Sequence, residues 1–223
     1  MLVDRLRDAG LDVEKAWTGG RPYVSRPLVK LVKRRFRAPV PGADGRFESR
    51  HNVPGGTETE FAEYLDRSNA MFQRWWILRR GWTDVSLLEH AVEANLAVRP
   101  HLFGGKAVVC DRYLYKSIVN LAVLLDLPLT ALPGLLRHPA FQLVPKPTLY
   151  FLLDVPAEVG FARKHDIPSR EYVERRVPIY RSLAAYARMP VVDATKPPDL
   201  LADDIWRIVS DTLTTGGMHV ASG

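Results

Sequence analysis

Four short apolar runs, Val13–Trp17, Ala107–Cys110, Thr148–Leu153 and Val191–Asp193, are each separated from the next by stretches of helical periodicity. No other feature narrows the fold as far. Antiparallel neighbours can be joined by two residues, whereas parallel neighbours need a crossover long enough to hold a helix. Strand-length runs alternating with helices therefore predict an α/β fold, with a mainly parallel sheet and helices on both faces, three layers in all. The last helix, over Asp199 to Leu213, sets Leu200, Ile205, Ile208, Val209 and Leu213 toward one side.

The remaining organisation follows from punctuation. Ala38 to Gly56, broken by Pro39, Pro41, Gly42, Gly45, Pro54, Gly55 and Gly56, reads as a long flexible loop. Thr57-Glu58-Thr59-Glu60 then forms a capping box. The helix it opens is expected to run to about Arg80 and stop at Gly81, with a second from near Asp84 to just before Gly104-Gly105. Trp75-Trp76 in the first of these reads as core or interface, with base stacking as the alternative. Ser117 to Leu136 carries only Asp126 and is interrupted by Pro128 and Pro133, which suits a buried helix and turn and not a membrane span.

With 223 residues, 47% of them hydrophobic, a chain buries roughly 70% of its unfolded surface and needs no covalent staple, so one domain is expected over 1–223. Cys110 is the single cysteine, which excludes an intrachain disulfide and a multi-thiolate zinc site. A reducing, cytoplasmic setting follows, as Met1-Leu2-Val3-Asp4-Arg5 opens no apolar core of signal-peptide length. Net charge is +6, and residues 21–50 alone hold nine basic residues against Asp44 and Glu48. Lys30, Lys33, Arg34 and Arg37 recur at helical spacing opposite Val29, Val32 and Phe36, which makes one basic face, solvated or anion-facing. No nucleic-acid motif accompanies it, so no nucleic-acid partner is expected.

In open parallel sheets ligands bind beyond the carboxyl ends of the strands. Those positions are Thr18-Gly19-Gly20-Arg21, Asp111-Arg112-Tyr113, Asp154-Val155-Pro156 and Asp193-Ala194-Thr195-Lys196. Carboxylate, guanidinium and bare backbone amides in one crevice suit a phosphate with its magnesium: the guanidinium pairs two oxygens and the carboxylate holds the metal's waters. The competing reading is that Asp111 and Arg112 cap and salt-bridge a strand end.

At these residues the chain resembles the thymidylate kinases and their nucleoside monophosphate kinase relatives, which are P-loop NTPases. Val108-Val109-Cys110-Asp111-Arg112-Tyr113 looks like the family's strand and Asp-Arg-Tyr motif. Pro147 to Glu158 is similar to the strand and helix start before its lid, Tyr172 to Tyr180 to its post-lid helix, and Val191-Val192-Asp193-Ala194 to the strand before its adenine-side loop. Spacing and order agree over roughly residues 99–212. Leu2 to Val13 looks like the family's first helix running into its second strand, and Trp17-Thr18-Gly19-Gly20-Arg21-Pro22 takes the place of its Arg-Glu-Pro-Gly-Gly turn. Two departures bear on the substrate: Trp17-Thr18 replaces the Arg-Glu, and His90 stands where members carry an arginine.

The resemblance implies transfer of the ATP γ-phosphoryl group to a nucleoside monophosphate, dTMP foremost, with Mg2+. On the matching positions, Asp111 would position the metal, and Arg112 would hold the acceptor phosphate beside Tyr113. Gly19, Gly20 and Arg21 would shape the acceptor side. Arg163, Lys164 and Arg170, from a short lid over 163–171, would close over the phosphates, and Ala194, Thr195 and Lys196 would flank the adenine. Members open with a strand and a Gly-x-x-x-x-Gly-Lys-Ser/Thr loop, a motif found nowhere in this sequence. Gly104-Gly105-Lys106-Ala107 is no substitute, because it precedes a strand instead of following one. Leu2 aligns just after that loop, so the expectation is that coding sequence upstream of Met1 carries the strand and the loop. Without that central strand, the strands at Ala107–Cys110 and Thr148–Leu153 should stand apart and unpaired. The alternative is a non-catalytic descendant that binds a nucleotide or a protein. Pairing as a homodimer is also implied, through Trp75-Trp76 or the apolar stretch Ser117 to Leu125.

Overall fold

The computed structural model describes residues 2–18, 69–70, 72–163 and 170–215. The basic face at Lys30–Arg37, the loop at 38–56 and the capping box at Thr57–Glu60 lie outside the described residues. In chain order the elements are α1 (Leu2–Asp8), β1 (Val13–Trp17), α2 (Trp76–Phe103), β2 (Ala107–Asp111), α3 (Tyr115–Leu124), α4 (Leu132–Leu136), β3 (Leu152–Asp154), α5 (Ala157–Arg163), α6 (Arg170–Glu174), α7 (Val177–Ala187), β4 (Val191–Asp193) and α8 (Pro198–Thr215). Both strand pairs are parallel and every crossover among the described residues is helical, as the alternation requires.

One apolar cluster gathers Leu87, Ala91 and Ala94 of α2, Ile118 and Leu121 of α3, Leu132 and Leu135 of α4, and Ile179 and Leu183 of α7. A second joins Leu6 of α1 and Ile205 and Val209 of α8 to Val13 of β1 and Val192 of β4, with Val109 and Phe151 packed against it. The strands thus lie between two helical layers. Helix α8 shows how the sequence arranges this: Ala202, Ile205 and Val209 are buried at helical spacing. Arg5 then ties α1 to α8, donating to the Ala202 carbonyl at 3.2 Å and to Asp203 Oδ1 at 2.6 Å. Among the described residues no helix is long and apolar enough to cross a membrane.

The strands form two separate two-stranded sheets, β1 with β2 and β3 with β4. No pairing joins β2 to β3 among the described residues, as expected from the strand order above. The register sharpens this. The Ala107 amide donates to the Asp12 carbonyl and that of Leu152 to the Pro190 carbonyl. In a parallel ladder alternate residues face opposite neighbours, so Ala107, Val109 and Asp111 bond toward β1, and Leu152 and Asp154 toward β4. Val108, Cys110 and Leu153 turn their amides the other way. In native-state hydrogen exchange the Val108, Cys110 and Leu153 amides should exchange faster than those of Val109 and Leu152. Equal protection of neighbouring amides along β2 would show that both of its edges are paired.

Three boundaries differ from the sequence expectation. Helix α2 runs straight through Gly81, where a stop was expected, and the break falls at Trp75 (φ −122°, ψ 87°). A mid-helix glycine costs only about 1 kcal/mol, and the turn is braced by Thr83 Oγ1 donating to the Arg79 carbonyl and by Arg80 pairing with Asp84. The strand expected from Thr148 begins at Leu152, because its partner supplies only three residues beyond the left-handed Arg188 that ends α7. The post-lid helix is two helices: α6 stops at Glu174 and α7 restarts at Val177, with Pro178 in its first turn.

The same packing bears on the two expected dimer faces. Ser117, Ile118, Val119, Leu121, Ala122, Val123 and Leu125 are buried within one copy, which disfavours that stretch as a dimer face. Trp75 and Trp76 are 60% and 71% exposed, so neither belongs to the core.

Candidate functional site

Strand β2 ends at Asp111, and the chain then leaves the sheet through two residues of positive φ, Arg112 at 70° and Tyr113 at 26°. L-residues occupy that region at a cost and only where the surroundings hold them there, a pattern concentrated at binding sites. Here the hold is visible. The Tyr113 hydroxyl donates to the Pro145 carbonyl at 2.7 Å. Burial pushes that phenol up to about 12, so it stays a donor at neutral pH. Helix α3 begins immediately afterwards, and the Lys116 amide reaches back to the Arg112 carbonyl at 3.4 Å.

The three strand-end aspartates have different fates. Asp154 is clamped by Arg181 of α7, whose Nε lies 3.0 and 3.1 Å from its two oxygens. Asp193 accepts from the Thr195 amide at 2.9 Å and from its hydroxyl at 2.6 Å, bonds that hold its carboxyl below the usual range. Both are occupied in shaping the chain. Asp111 is 54% exposed, and its contact with Arg112 Nε is a looser 3.7 Å. Among the described residues no three His, Cys, Asp or Glu side chains gather as a metal-ligand group. A lone, open carboxylate still fits magnesium, which keeps several waters and draws other ligands from substrate phosphates.

The register sets Trp17 opposite Asp111, which places the end of β1 beside the Asp-Arg-Tyr turn. Thr18, the first residue past β1, is buried, and its hydroxyl has no hydrogen-bond partner. Gly19, Gly20, Arg21 and Lys164 lie outside the described residues. Arg163 donates to the Ala194 carbonyl at 2.6 Å and to the Thr195 carbonyl at 3.0 Å. Lys196 pairs with Asp204 at 2.5 Å. Arg170 pairs with Glu174 at 2.6 Å and Glu158 at 3.1 Å, which raises its already high pKa. The structure therefore joins Arg163 to the Ala194-Thr195 loop and engages Arg170 with acidic side chains of α5 and α6.

Two further cations, Lys116 and Arg176, were not singled out from the sequence. Lys116, half-buried in the first turn of α3, has its ammonium drawn below the usual lysine range, first by burial and then by the Arg112 charge, against the pull of Asp111 and Glu93. Arg176, between α6 and α7, lays its guanidinium over the Tyr172 ring at 3.4 Å and donates to the Tyr172 carbonyl at 3.0 Å. Its Nε is buried without a hydrogen-bond partner. Glu93 of α2, 4% exposed, faces this group, and His90 Nδ1 lies 3.5 Å from it. The available signal for Lys116 was a lone charge at the head of an apolar run, just after the Asp-Arg-Tyr motif.

A scan of the chain against protein-family models finds no match. Individual proteins do match. A thymidylate kinase of Thermomicrobium roseum is 35% identical over 130 residues, which are 53% of this chain and 61% of that relative. One of Solidesulfovibrio magneticus is 30% identical over 191 residues, 77% of this chain and 88% of the relative. One of Xanthomonas campestris is 28% identical over 178 residues, 75% of this chain and 72% of the relative. The chain thus spans about three-fifths of the first relative and nearly all of the second. With parallel strands between helical layers and an aspartate-arginine pair at the strand ends, this similarity along most of the chain settles its descent: it belongs to the thymidylate kinase family.

Proposed function

We propose that the protein is a cytoplasmic nucleotide kinase that moves the γ-phosphoryl group of ATP to a nucleoside monophosphate, with dTMP as the foremost acceptor. The observation that carries this reading is the turn at the end of β2, where a strained backbone presents Arg112 beside the open carboxylate of Asp111. Phosphoryl transfer asks for positioning and charge neutralisation, with little covalent work by the protein. Arg112 holds the acceptor phosphate with its planar fork. Asp111 orders the water shell of magnesium, which when bound neutralises charge between the two substrates.

Ala194, Thr195 and Lys196 flank the adenine, and the Asp193 bonds to Thr195 together with Arg163 keep that loop in shape. Arg170 and Lys164 supply lid cations, Arg170 after leaving Glu158 and Glu174. Gly19, Gly20, Arg21 and Tyr113 form the acceptor side. The exposed Trp75-Trp76 pair is the face for a homodimer.

Full-length protein mixed with ATP, magnesium and dTMP should produce ADP and dTDP in equal amounts. Calorimetric binding of dTMP without any ADP production would move the assignment to a non-catalytic nucleotide-binding descendant.

A further inference from the structure

The strained turn after β2 is held from outside the sheet. The Tyr113 hydroxyl reaches the carbonyl of Pro145, where an irregular strap over 138–145 ends after passing through the 3-10 turn Pro139–Gln142. Ala140 and Val144 dock the strap in the core. Three of its backbone groups are bonded by side chains: the Ala140 amide by His138 Nδ1 at 3.2 Å, the Leu143 carbonyl by Arg99 at 3.0 Å, and the Pro145 carbonyl by Tyr113 at 2.7 Å.

The two remote tethers are rooted in α2. Arg99 Nε donates to Asn95 Oδ1, and Asn95 donates in turn to the Ala91 carbonyl at 2.7 Å, so the guanidinium meets Leu143 already oriented. The His138 ring uses Nδ1 to accept from Ala140, which places its proton on Nε2, 3.0 Å from Asp84 Oδ1. Singly, such bonds contribute modestly to stability. Together they close a circuit. Helix α2 leads through Gly104-Gly105 into β2, β2 into the Arg112-Tyr113 turn, the turn to Pro145, and the strap back through Leu143 and His138 onto α2. Two successive residues at positive φ stay there only while their surroundings hold them.

We propose that the strap over 138–145 sets the backbone from which Arg112 meets the acceptor nucleotide, with Arg99 and His138 as positioning residues that act through the Pro145 carbonyl and the Tyr113 hydroxyl. The proposal rests on the kinase reading above and deepens it. Loosening the strap lowers the fraction of molecules whose turn is competent, and the apparent affinity for the acceptor falls by that same fraction. The bound form, once reached, is unchanged, so turnover at saturation and the constant for ATP stay as they were. The competing role for Arg99 and His138 is stability alone, tying a surface segment to α2.

The test uses the full-length protein with dTMP and ATP, and thermal melts to verify folding. Arg99→Met and His138→Ala should each raise KM for dTMP, and its calorimetric Kd, by roughly threefold to tenfold, the loss of one hydrogen bond's hold, with kcat and KM for ATP kept. Arg99→Lys, which keeps a donor for Leu143, should recover most of the affinity. Tyr113→Phe should weaken dTMP by itself, and adding Arg99→Met to it should cost nothing more, because the link through which Arg99 acts is already cut. Arg99 is exposed, so its variants keep the test intact if His138→Ala fails to fold. Wild-type dTMP affinity in folded Arg99→Met, or a full further loss in the Tyr113→Phe background, would overturn the brace and leave the kinase reading standing. The Lys116 amide, bonded to the Arg112 carbonyl, reports the turn without any ligand, and its hydrogen exchange should quicken in Arg99→Met. Wild-type protein that neither binds dTMP nor makes ADP would overturn the kinase reading, and the Lys116 amide then decides the brace, unchanged exchange overturning it.

Discussion

Replacing Arg112 by glycine should cost roughly 100-fold in acceptor affinity while changing the stability of the fold by no more than about 1 kcal/mol. The first figure is the loss of two charge-assisted hydrogen bonds at about 1.5 kcal/mol each. The second reflects near cancellation. At φ 70° a side chain clashes with its own backbone, and its removal relieves about 1 kcal/mol. The freer unfolded glycine takes back about 0.5–1 kcal/mol. Loss of the half-exposed contact to Asp111 adds little, since such ion pairs are worth about 0–1 kcal/mol. Arg112→Lys keeps both the charge and the strained backbone and loses only the fork, so about tenfold is expected. Calorimetric titration with dTMP and urea unfolding read the two quantities separately. Unchanged acceptor affinity in both variants would leave Arg112 a structural strand-end cap.

The largest stability effect is expected from Ile118→Ala. Ile118 is 0% exposed, and it sits where α2, α3, α4 and α7 meet in one cluster. Deleting that much of a packed side chain costs about 2–5 kcal/mol through lost transfer energy and the cavity left behind. Against a total stability of about 5–15 kcal/mol, this is a severe loss. Leu96→Ala on α2 is the control: at 61% exposure it should stay within about 0.5 kcal/mol of wild type. The expected signature is a fall in the urea midpoint at unchanged slope. A loss below 1 kcal/mol at Ile118 would mean that α3 is not central to the core, and would return Ser117–Leu125 to consideration as a dimer face.

Much of the site was legible in the sequence because its placement is topological. Ligands gather at the carboxyl ends of parallel strands, so finding the strands was enough to point to Asp111, Arg112 and the Asp193-to-Lys196 turn. The use of each residue was less legible. Asp111, Asp154 and Asp193 look alike as strand-end carboxylates. Asp154 differs only because Arg181, 27 residues later, returns on α7 to clamp it. The helix stop placed at Gly81 shows the opposite failure, a local rule of modest energy overridden by packing, since Phe72 and Trp82 meet at 5.9 Å on either side of the actual break at Trp75.

The sequence by itself determined the alternation of strand and helix, the parallel pairing, the buried helix at α3, the apolar side of α8, and the Asp-Arg-Tyr motif after β2. These depend on periods of two and 3.6 residues and on the short reach of turns, which a linear string records directly. Tertiary structure alone decided which strand-end carboxylate stays open, which side chain clamps Asp154, and that α2 runs through Gly81 and breaks at Trp75. These outcomes depend on side chains and strand edges brought together by packing across tens of residues, where energies of a few kcal/mol are set by distance and burial instead of by neighbours in sequence.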